Sequence, residues 1–283
     1  MIKYYGLNKR KNFFQVWYFK EQCNSASISF VPGIHLDKNG EKKAFIKVIY
    51  GNDKIDVDYN FSDFTFDNEK IKIGENEFSE DGIKVNINKE NFKVEGIIKF
   101  SQSIELKKNY INSLNIINFM QCNRDVISLR HYLNGFLKVN DEKIDFIDGI
   151  GYIESVYGKR IPQEKIWIQC SDKYNYSLMI SLEPRDKIKK KALGCESFVY
   201  CNGQEHRINT VKGCKVIEYN KNRVILKQGR NYLEINLHNQ DDNKDNLCSL
   251  CTKSSILFKI GKRTIFNQST DKCSYEYNIK KSV

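Results

Sequence analysis

Apolar and polar residues alternate with a period of two along most of the chain. In one clear case Ile83, Val85 and Ile87 are separated by the polar residues Lys84 and Asn86. This period places successive side chains on opposite faces of a sheet. The pattern therefore predicts half-buried β-strands, which recur in the segments 55–59, 71–73, 83–87, 92–94, 224–226, 232–237 and 256–260.

Turn-forming residues separate these segments. Asp67-Asn68, Asp81-Gly82 and the stretch 228–231, which reads QGRN, each stand between two alternating segments. A spacing of about ten residues between turns is typical of antiparallel meanders. The best helix candidate is 104–119, and no segment has a long helical stripe with caps. The sequence therefore predicts an all-β fold.

The middle of the chain departs from the alternation. Segments 144–153 and 165–170 are almost continuously apolar, which is typical of strands buried on both faces. A chain of 283 residues exceeds the usual single core. We expect an N-terminal β unit over 1–150 and a C-terminal β unit over 151–283, with the boundary somewhere between 150 and 190.

Charge, hydropathy and cysteine content limit the possible partners and the cellular compartment. The net charge is +11, but the lysines are scattered among acidic residues and asparagines, so we expect no nucleic-acid partner. Residues 1–10 have no apolar signal segment, and no apolar run approaches the roughly 18 residues of a membrane helix. The nine cysteines are odd in number and irregularly spaced. We expect free thiols in the cytoplasm, with peripheral membrane contact and the oligomeric state left open.

Five segments, in order along the chain, carry a family resemblance. Residues 13–20 read FFQVWYFK, similar to FFEGWYFK, and residues 120–131 read MQCNRDVISLRH, similar to MECxHGVxSxxH. Residues 151–162 read GYIESVYGKRIP, similar to GYIExDxGRSFP. Residues 167–170 read WIQC and residues 273–277 read CSYEY, similar to WxQC and to a closing SFEY. Together they resemble the tocopherol cyclase-like family.

The resemblance implies a fold and a chemistry. The fold is two lipocalin-like antiparallel β-barrels or half-barrels that share an interface and hold an apolar small molecule of isoprenoid or quinone type. The chemistry is ring closure on a prenylated quinol, in which an acid protonates an alkene and a phenolic oxygen attacks the cation, without a cofactor. The ligand-binding candidates are Phe14, Gln15, Trp17, Tyr18, Gln121, Tyr152, Trp167 and Gln169.

Three residues are candidates for catalysis. His131 lies at even spacing from Leu129 and Leu133 and could position a ligand hydroxyl or relay a proton, or be a hydrogen-bonded strand histidine. On a regular strand Ser128 faces the other way. Glu154 could be a buried acid or the ion-pair partner of Arg160. Glu276 has the same two interpretations as Glu154.

The aromatic run 13–19 is either the wall of a ligand pocket or ordinary strand packing.

Departures from the family pattern weigh against acid catalysis. Gln15 and Gln121 replace acids, Arg124 replaces a histidine, and Val156 and Cys248 replace two further acids. An amide keeps the shape of a carboxyl but does not protonate an alkene. The sequence leaves three functions open: a binding protein for an apolar small molecule, an active cyclase or hydratase, and a basic module for an acidic partner.

A single C-x-x-C motif lies near the C-terminus. Cys248 and Cys251 have no second cysteine pair and no paired histidines nearby. A structural zinc site needs four ligands. We therefore interpret the motif as coincidental and predict no metal site.

Overall fold

The computed structural model describes residues 1–51, 53–107, 122–160, 164–184, 193–238 and 246–278. Helical structure in these residues is confined to two 3-10 turns, Phe61–Asp63 and Thr210–Lys212. The predicted all-β class is confirmed. Of the predicted helix, Ile104 ends a strand and 108–119 lie outside the described residues. None of the described helical segments is long and apolar enough to cross a membrane.

The first compact unit ends after residue 160 in the described chain. Its strands form a single antiparallel sheet with the order β4-β3-β2-β1-β12-β10-β9-β8-β7-β6-β5, and β11 pairs with β10. The strands are β1 (Phe13–Gln22), β2 (Ser27–Leu36), β3 (Lys42–Tyr50), β4 (Asp53–Asn60), β5 (Phe64–Asp67), β6 (Lys70–Ile73), β7 (Asn76–Ser79), β8 (Gly82–Lys89), β9 (Phe92–Ile104), β10 (Cys122–Val139), β11 (Glu142–Asp145) and β12 (Ile150–Gly158).

The second unit is described from residue 164 onward. Its nine-stranded antiparallel sheet has the order β16-β15-β14-β13-β21-β20-β19-β18-β17. The strands are β13 (Lys165–Ser171), β14 (Tyr176–Pro184), β15 (Leu193–Cys201), β16 (Gln204–Asn209), β17 (Lys215–Tyr219), β18 (Arg223–Gln228), β19 (Asn231–Leu237), β20 (Asn246–Ile260) and β21 (Arg263–Asn278). One of the two sheets is a nearly closed barrel and the other a half-barrel, as expected of a lipocalin-like fold.

Each unit has its own apolar core. In β8 the alternation holds, because Ile83, Val85 and Ile87 are buried in the first core while Lys84 and Asn86 are exposed. The second core is built in the same way from the inward faces of β13, β14, β18, β19 and β20. Strand β12 contributes Ile153 to the first core and pairs with both β1 and β10. We therefore place the end of the first unit after β12.

Turns and glycines shape the first sheet. Asn68 and Glu69 both have positive φ, the requirement of the two-residue hairpin turn that suits the strand twist. Gly96 and Gly135 face neighbouring strands closely, because a Cβ would lie 2.4 Å from the Phe136 carbonyl oxygen and 2.2 Å from that of Ile97, respectively. Such glycines allow the strong coiling that a barrel needs.

Candidate functional site

Strand β1 divides the N-terminal candidates between the two faces of the first sheet. Trp17 and Phe19 belong to the apolar core. Gln15 shares their face because of the two-residue period. Phe14 and Tyr18 lie on the opposite face, where Phe14 is buried and Tyr18 half-buried. The ligand-binding candidates of this segment therefore do not line a single surface.

Gln15 and Trp17 form hydrogen bonds with the backbone of the N-terminal segment, residues 3–5. The Gln15 amide donates to the Lys3 carbonyl oxygen at 2.8 Å and to Ser155 Oγ at 3.0 Å, and its oxygen accepts from the Tyr5 backbone N–H at 2.8 Å. Trp17 Nε1 donates to the same Lys3 carbonyl at 3.3 Å. Both hydrogens and the oxygen of the Gln15 amide are thus used within the protein, so this side chain acts as a brace.

Aromatic contacts also pack the N-terminal segment against other residues of the first unit. Tyr4 packs edge-on to Phe64, with ring centroids 5.2 Å apart, and the Tyr5 ring stacks on Tyr157 at 4.0 Å. The Tyr5 hydroxyl donates to Asp125 at 2.9 Å. Burial raises the pKa of the Asp125 carboxyl, and the Tyr5 hydrogen bond partly offsets that rise. Residues 3–5 are therefore an integral part of the first unit.

The core face also holds a buried acid beside His131. His131 Nδ1 is hydrogen-bonded to Ser128 Oγ at 2.9 Å, and Ser103 Oγ donates to Ser128 Oγ at 2.8 Å. His131 Nε2 lies 3.6 Å from Glu21 Oε2. Within the described residues, neither carboxyl oxygen of Glu21 has a hydrogen-bond partner. Burial raises the pKa of Glu21, and His131 and Lys20 offset only part of the rise.

Two irregularities in β10 explain why Ser128 and His131 meet. The register to β12 shifts between Val126 and Ser128 and again between Ser128 and His131. Each β-bulge changes which residues face the core. The expectation that Ser128 faces away from His131 is therefore wrong, because it assumed a regular strand.

Gly151 makes room for this cluster. It lies within β12 opposite His131. A Cβ at position 151 would lie 2.1 Å from His131 Nε2 and 2.6 Å from Glu21 Oε2. Lys20, the chain neighbour of Glu21, is buried within β1.

The opposite face of the first sheet carries a buried ion pair. Arg124 donates to Glu154 Oε1, and the Tyr152 hydroxyl donates to Glu154 Oε2 at 2.7 Å. The side chains of Arg124 and Glu154 are only 4% and 6% exposed. Arg160 is exposed, so the pairing of Glu154 with Arg160 that we considered is replaced by one with Arg124.

Two phenols extend this cluster. The rings of Tyr18 and Tyr152 meet edge to face at 6.4 Å, and Ser29 Oγ donates to the Tyr18 hydroxyl at 2.9 Å. Burial, followed by the charge of Glu154, raises the pKa of Tyr152 well above its usual value. The Tyr152 hydroxyl therefore keeps its proton and donates a hydrogen bond to the Glu154 carboxyl.

The second sheet holds the remaining candidates. Trp167 and Gln169 alternate with the core residues Ile166 and Ile168, so they lie on the face away from the second core. Gln169 Nε2 donates to Ser171 Oγ at 3.0 Å. Glu276 stands opposite Trp167 in the β13–β21 register and forms an ion pair with Lys165 at 2.9 Å. Glu276 is thus a partly exposed charge at a strand pair.

The three catalytic candidates are divided among the sheet faces of the two units. His131 faces the first core, Glu154 lies on the opposite face of the same sheet, and Glu276 belongs to the second sheet. Gln121 lies outside the described residues. Sequence reasoning missed Glu21 and did not anticipate the pairing of Arg124. Arg124 lies within segment 120–131, which carries part of the resemblance, and Glu21 directly follows segment 13–20.

Comparison with known proteins identifies the fold but no family. No protein-family model matches the chain, and no curated protein matches it. An AttH-type protein from Nitrosomonas europaea superposes with a TM-score of 0.58 at 10% identity, covering 93% of this chain and 91% of that one. CghA superposes with a TM-score of 0.60 at 8% identity, with coverages of 94% and 88%. Kievitone hydratase from Nectria haematococca gives 0.53 at 11% identity, with coverages of 97% and 93%.

These similarities span almost the whole length of each protein. At such low identity they establish a shared fold and nothing about activity. The lipocalin-like architecture is therefore shown. Membership of the tocopherol cyclase-like family stays a prediction from the sequence motifs.

Proposed function

We propose that this protein binds an apolar small molecule of isoprenoid or quinone type on the face of the first sheet that carries Tyr18 and Tyr152. The observation that carries the proposal is the buried Arg124–Glu154 pair on that face, away from the apolar core. Aromatic surface with a few fixed polar groups is the usual composition of a small-molecule site.

A buried ion pair contributes little net stability to a fold, so its presence calls for another explanation. Removing two charges from water carries a desolvation cost that often exceeds their attraction, and apolar replacements are frequently as stable. Here the pair holds the Tyr152 hydroxyl and lies next to Tyr18. We infer that it fixes the two phenols so that they recognise an oxygen-bearing head group while Phe14 contacts the apolar part.

The same geometry argues against Glu154 as a proton donor. Both of its oxygens accept hydrogen bonds, from Arg124 and from Tyr152. A carboxylate occupied in this way has no O–H to direct at an alkene. Gln15, at a position that is acidic in the family pattern, uses its amide to hold Lys3 and Ser155. Ring closure driven by these two positions is therefore not part of the proposal.

Titration with a prenylated benzoquinone tests the binding proposal. Loss of one ligand hydrogen bond in Tyr18→Phe or Tyr152→Phe is expected to weaken binding about tenfold. Tyr174→Phe is the matched control, because Tyr174 is exposed in the second unit. Native mass spectrometry of the freshly purified protein gives an independent readout of a co-purified ligand. Equal affinity in all four proteins would overturn the proposed face.

A second candidate function is acid-catalysed hydration or cyclisation of a prenylated substrate. It is favoured by Glu21, a buried carboxyl whose pKa is raised and whose neighbour is His131. A carboxyl with a raised pKa keeps its proton to a higher pH than an exposed one, which is what a general acid requires. Turnover of a prenylated quinol that is lost in Glu21→Gln and retained in Glu154→Gln would favour this candidate over binding alone.

A further inference from the structure

A polar cleft of about 780 Å³ lies at one end of the second sheet. It is formed by the connection between β17 and β18, by the last residues of β19 with His238, and by Tyr277 near the end of β21. The residues that line it all belong to the second unit. Its volume falls within the range of about 300–1,000 Å³ that is usual for small-molecule sites.

Hydrogen bonds fix the turn between β17 and β18, which forms one wall of the cleft. The Asn220 side-chain oxygen accepts from the Asn222 backbone N–H at 2.8 Å. The Leu237 N–H donates to the Asn222 carbonyl oxygen at 2.7 Å. The Tyr275 hydroxyl donates to the Lys221 carbonyl oxygen at 3.0 Å. The backbone of the turn is thus held from several sides, while Asn222 itself is exposed at the cleft.

Arg223 is held between two carboxylates at the cleft. Its Nη2 donates to Glu234 Oε1 at 2.7 Å, and its Nη1 lies 3.4 Å from Glu218 Oε2. Asn236 Nδ2 donates to the same Glu234 oxygen at 3.1 Å, and Asn220 Nδ2 donates to Glu218 Oε1 at 3.1 Å. Arg223 Nε is buried and has no hydrogen-bond partner among the described residues. The cleft therefore contains planar polar groups in fixed orientations.

The formal charges of these side chains balance. Arg223 and Lys221 are positive, Glu218 lines the same cleft with a negative charge, and Glu234 supplies a second negative charge at Arg223. With His238 counted as neutral, these described residues carry no net charge. A site without net charge has little electrostatic attraction for an ion. The cleft therefore favours a neutral polar ligand.

We propose that this cleft binds a neutral carbohydrate built of hexopyranose units. Sugar hydroxyls both donate and accept hydrogen bonds, so they match the Asn222 and Asn236 amides, which offer donors and an acceptor in one plane, and the acceptor oxygens of Glu218. The Tyr277 ring borders the cleft and offers an apolar surface to the C–H face of a pyranose. The site lies in the second unit and does not depend on the proposed binding face of the first sheet.

A glycan array probed with the unmodified 283-residue chain is the primary test. The array carries neutral hexose oligosaccharides beside sialylated and sulfated ones, and we expect retention on neutral members. The best-retained neutral oligosaccharide is then titrated into the labelled protein, where amide signals of residues 220–223 and 236–238 should shift. The affinity should change less than about twofold between about 50 and 500 mM NaCl, because a neutral ligand has no charge to be screened.

Two substitutions test the lining without removing a backbone hydrogen bond. Asn222→Ala is expected to weaken binding of that oligosaccharide about fivefold through loss of a hydrogen bond. Tyr277→Leu is expected to weaken it about fivefold while keeping an apolar contact with the second core. Asn267→Ala is the matched control, because Asn267 is exposed in β21 and does not line the cleft.

Several outcomes would overturn the proposal. Retention of no glycan, or of anionic glycans alone, would exclude a neutral carbohydrate as the ligand. Signal shifts confined to residues outside the cleft would place the site elsewhere. Equal affinities of Asn222→Ala, Tyr277→Leu and Asn267→Ala would show that these side chains do not contact the sugar.

Discussion

Glu21 places a carboxyl among the core-facing side chains of the first sheet. Its carboxyl is buried, lies 3.6 Å from His131 Nε2 and has no hydrogen-bond partner within the described residues. An unsatisfied buried carboxylate is costly, so the protonated form is favoured. Glu21, His131 and Ser128 together form a small buried polar cluster on the core face.

Gly151→Ala tests how tightly this cluster is packed. The added Cβ would lie 2.1 Å from His131 Nε2, and the strand pairing leaves the backbone little freedom to retreat. We expect a loss of about 1–3 kcal/mol in the free energy of unfolding, measured by urea denaturation. The double variant Gly151→Ala/His131→Ala removes the imidazole with which the new Cβ would clash. Its loss in the free energy of unfolding should therefore be smaller than the sum of the losses in the two single variants. Strict additivity would contradict the steric explanation.

Glu21→Gln tests the raised pKa through the pH dependence of stability. The folded protein holds the Glu21 proton above the ordinary value of 4.5, so this proton stabilises the fold below that pH. The contribution is lost as the pH rises through the folded pKa, because the buried carboxyl must then ionise. His131 and Lys20 are the charged neighbours that oppose the shift.

The expected result is a difference in stability that appears as the pH rises. Glu21→Gln should unfold at nearly the same urea concentration as the unmodified protein at about pH 5, and be more stable by about 1–3 kcal/mol at about pH 8. Glu142→Gln, on an exposed residue of β11, is the control and should show no such difference. If the Glu21 variant and the unmodified protein were equally stable at both pH values, a raised pKa of Glu21 would be excluded.

The sequence predicted some of these residues and missed others for physical reasons. His131 stands out as a histidine among apolar neighbours. Glu21 follows Lys20 at the end of an aromatic run and looks like an ordinary charged strand end. Only the antiparallel pairing of β1 with β12, and of β12 with β10, brings Glu21 to His131. A contact across three strands leaves no local pattern in a single sequence.

At the scale of elements, β1 serves two purposes with its two faces. Its core face holds the N-terminal segment through Gln15 and Trp17. Its other face presents Tyr18 to Tyr152. A single run of aromatic residues therefore contributes both to packing and to the proposed binding face, and the two interpretations of the run 13–19 each apply to one face.

Gln15→Glu tests the structural role of the core face. A carboxylate cannot donate to the Lys3 carbonyl or to Ser155, and it would place a negative charge against that carbonyl oxygen. We expect a loss of about 1–3 kcal/mol in the free energy of unfolding at neutral pH. Faster amide exchange at Tyr5 should accompany it, because the Tyr5 N–H is bonded to the same side chain.

Gln204→Glu provides the control for the charge change alone. Gln204 is exposed at the start of β16, so its replacement should leave the stability nearly unchanged. Unchanged stability and unchanged Tyr5 exchange in Gln15→Glu would show that the N-terminal segment does not depend on this amide.

Strands were easier to predict than their irregularities. Alternation identified β4, β6 and β8, because each has one apolar and one polar face, and Asp67-Asn68 marked the turn between β5 and β6. The bulges in β10 have no comparable signal, since they depend on how β12 and β9 pair with it. The face of Ser128 was predicted wrongly for that reason.

At the scale of the whole molecule, the two units are each built around a separate core. The apolar stretch 144–153 that we expected to be buried on both faces includes the start of β12. Tyr152 and Glu154 on one side of this strand and Ile153 on the other are all buried. That double burial removes the alternation and explains why the sequence placed the edge of the first unit only approximately.

Fragments cut on either side of β12 test whether this strand completes the first unit. Fragment 1–150 lacks β12, so β1 loses the partner that faces it from Phe14 to Gln22, and β10 loses its partner on the same side. Two unpaired strand edges would then lie in the middle of the sheet, with the ladder hydrogen bonds and the burial of Ile153 lost. Fragment 1–161 retains all twelve strands of the sheet. We expect a cooperative urea transition and slow amide exchange in β1 for 1–161, and neither for 1–150. A transition in 1–150 as steep as that of 1–161, or none in either fragment, would show that β12 does not complete an autonomous unit.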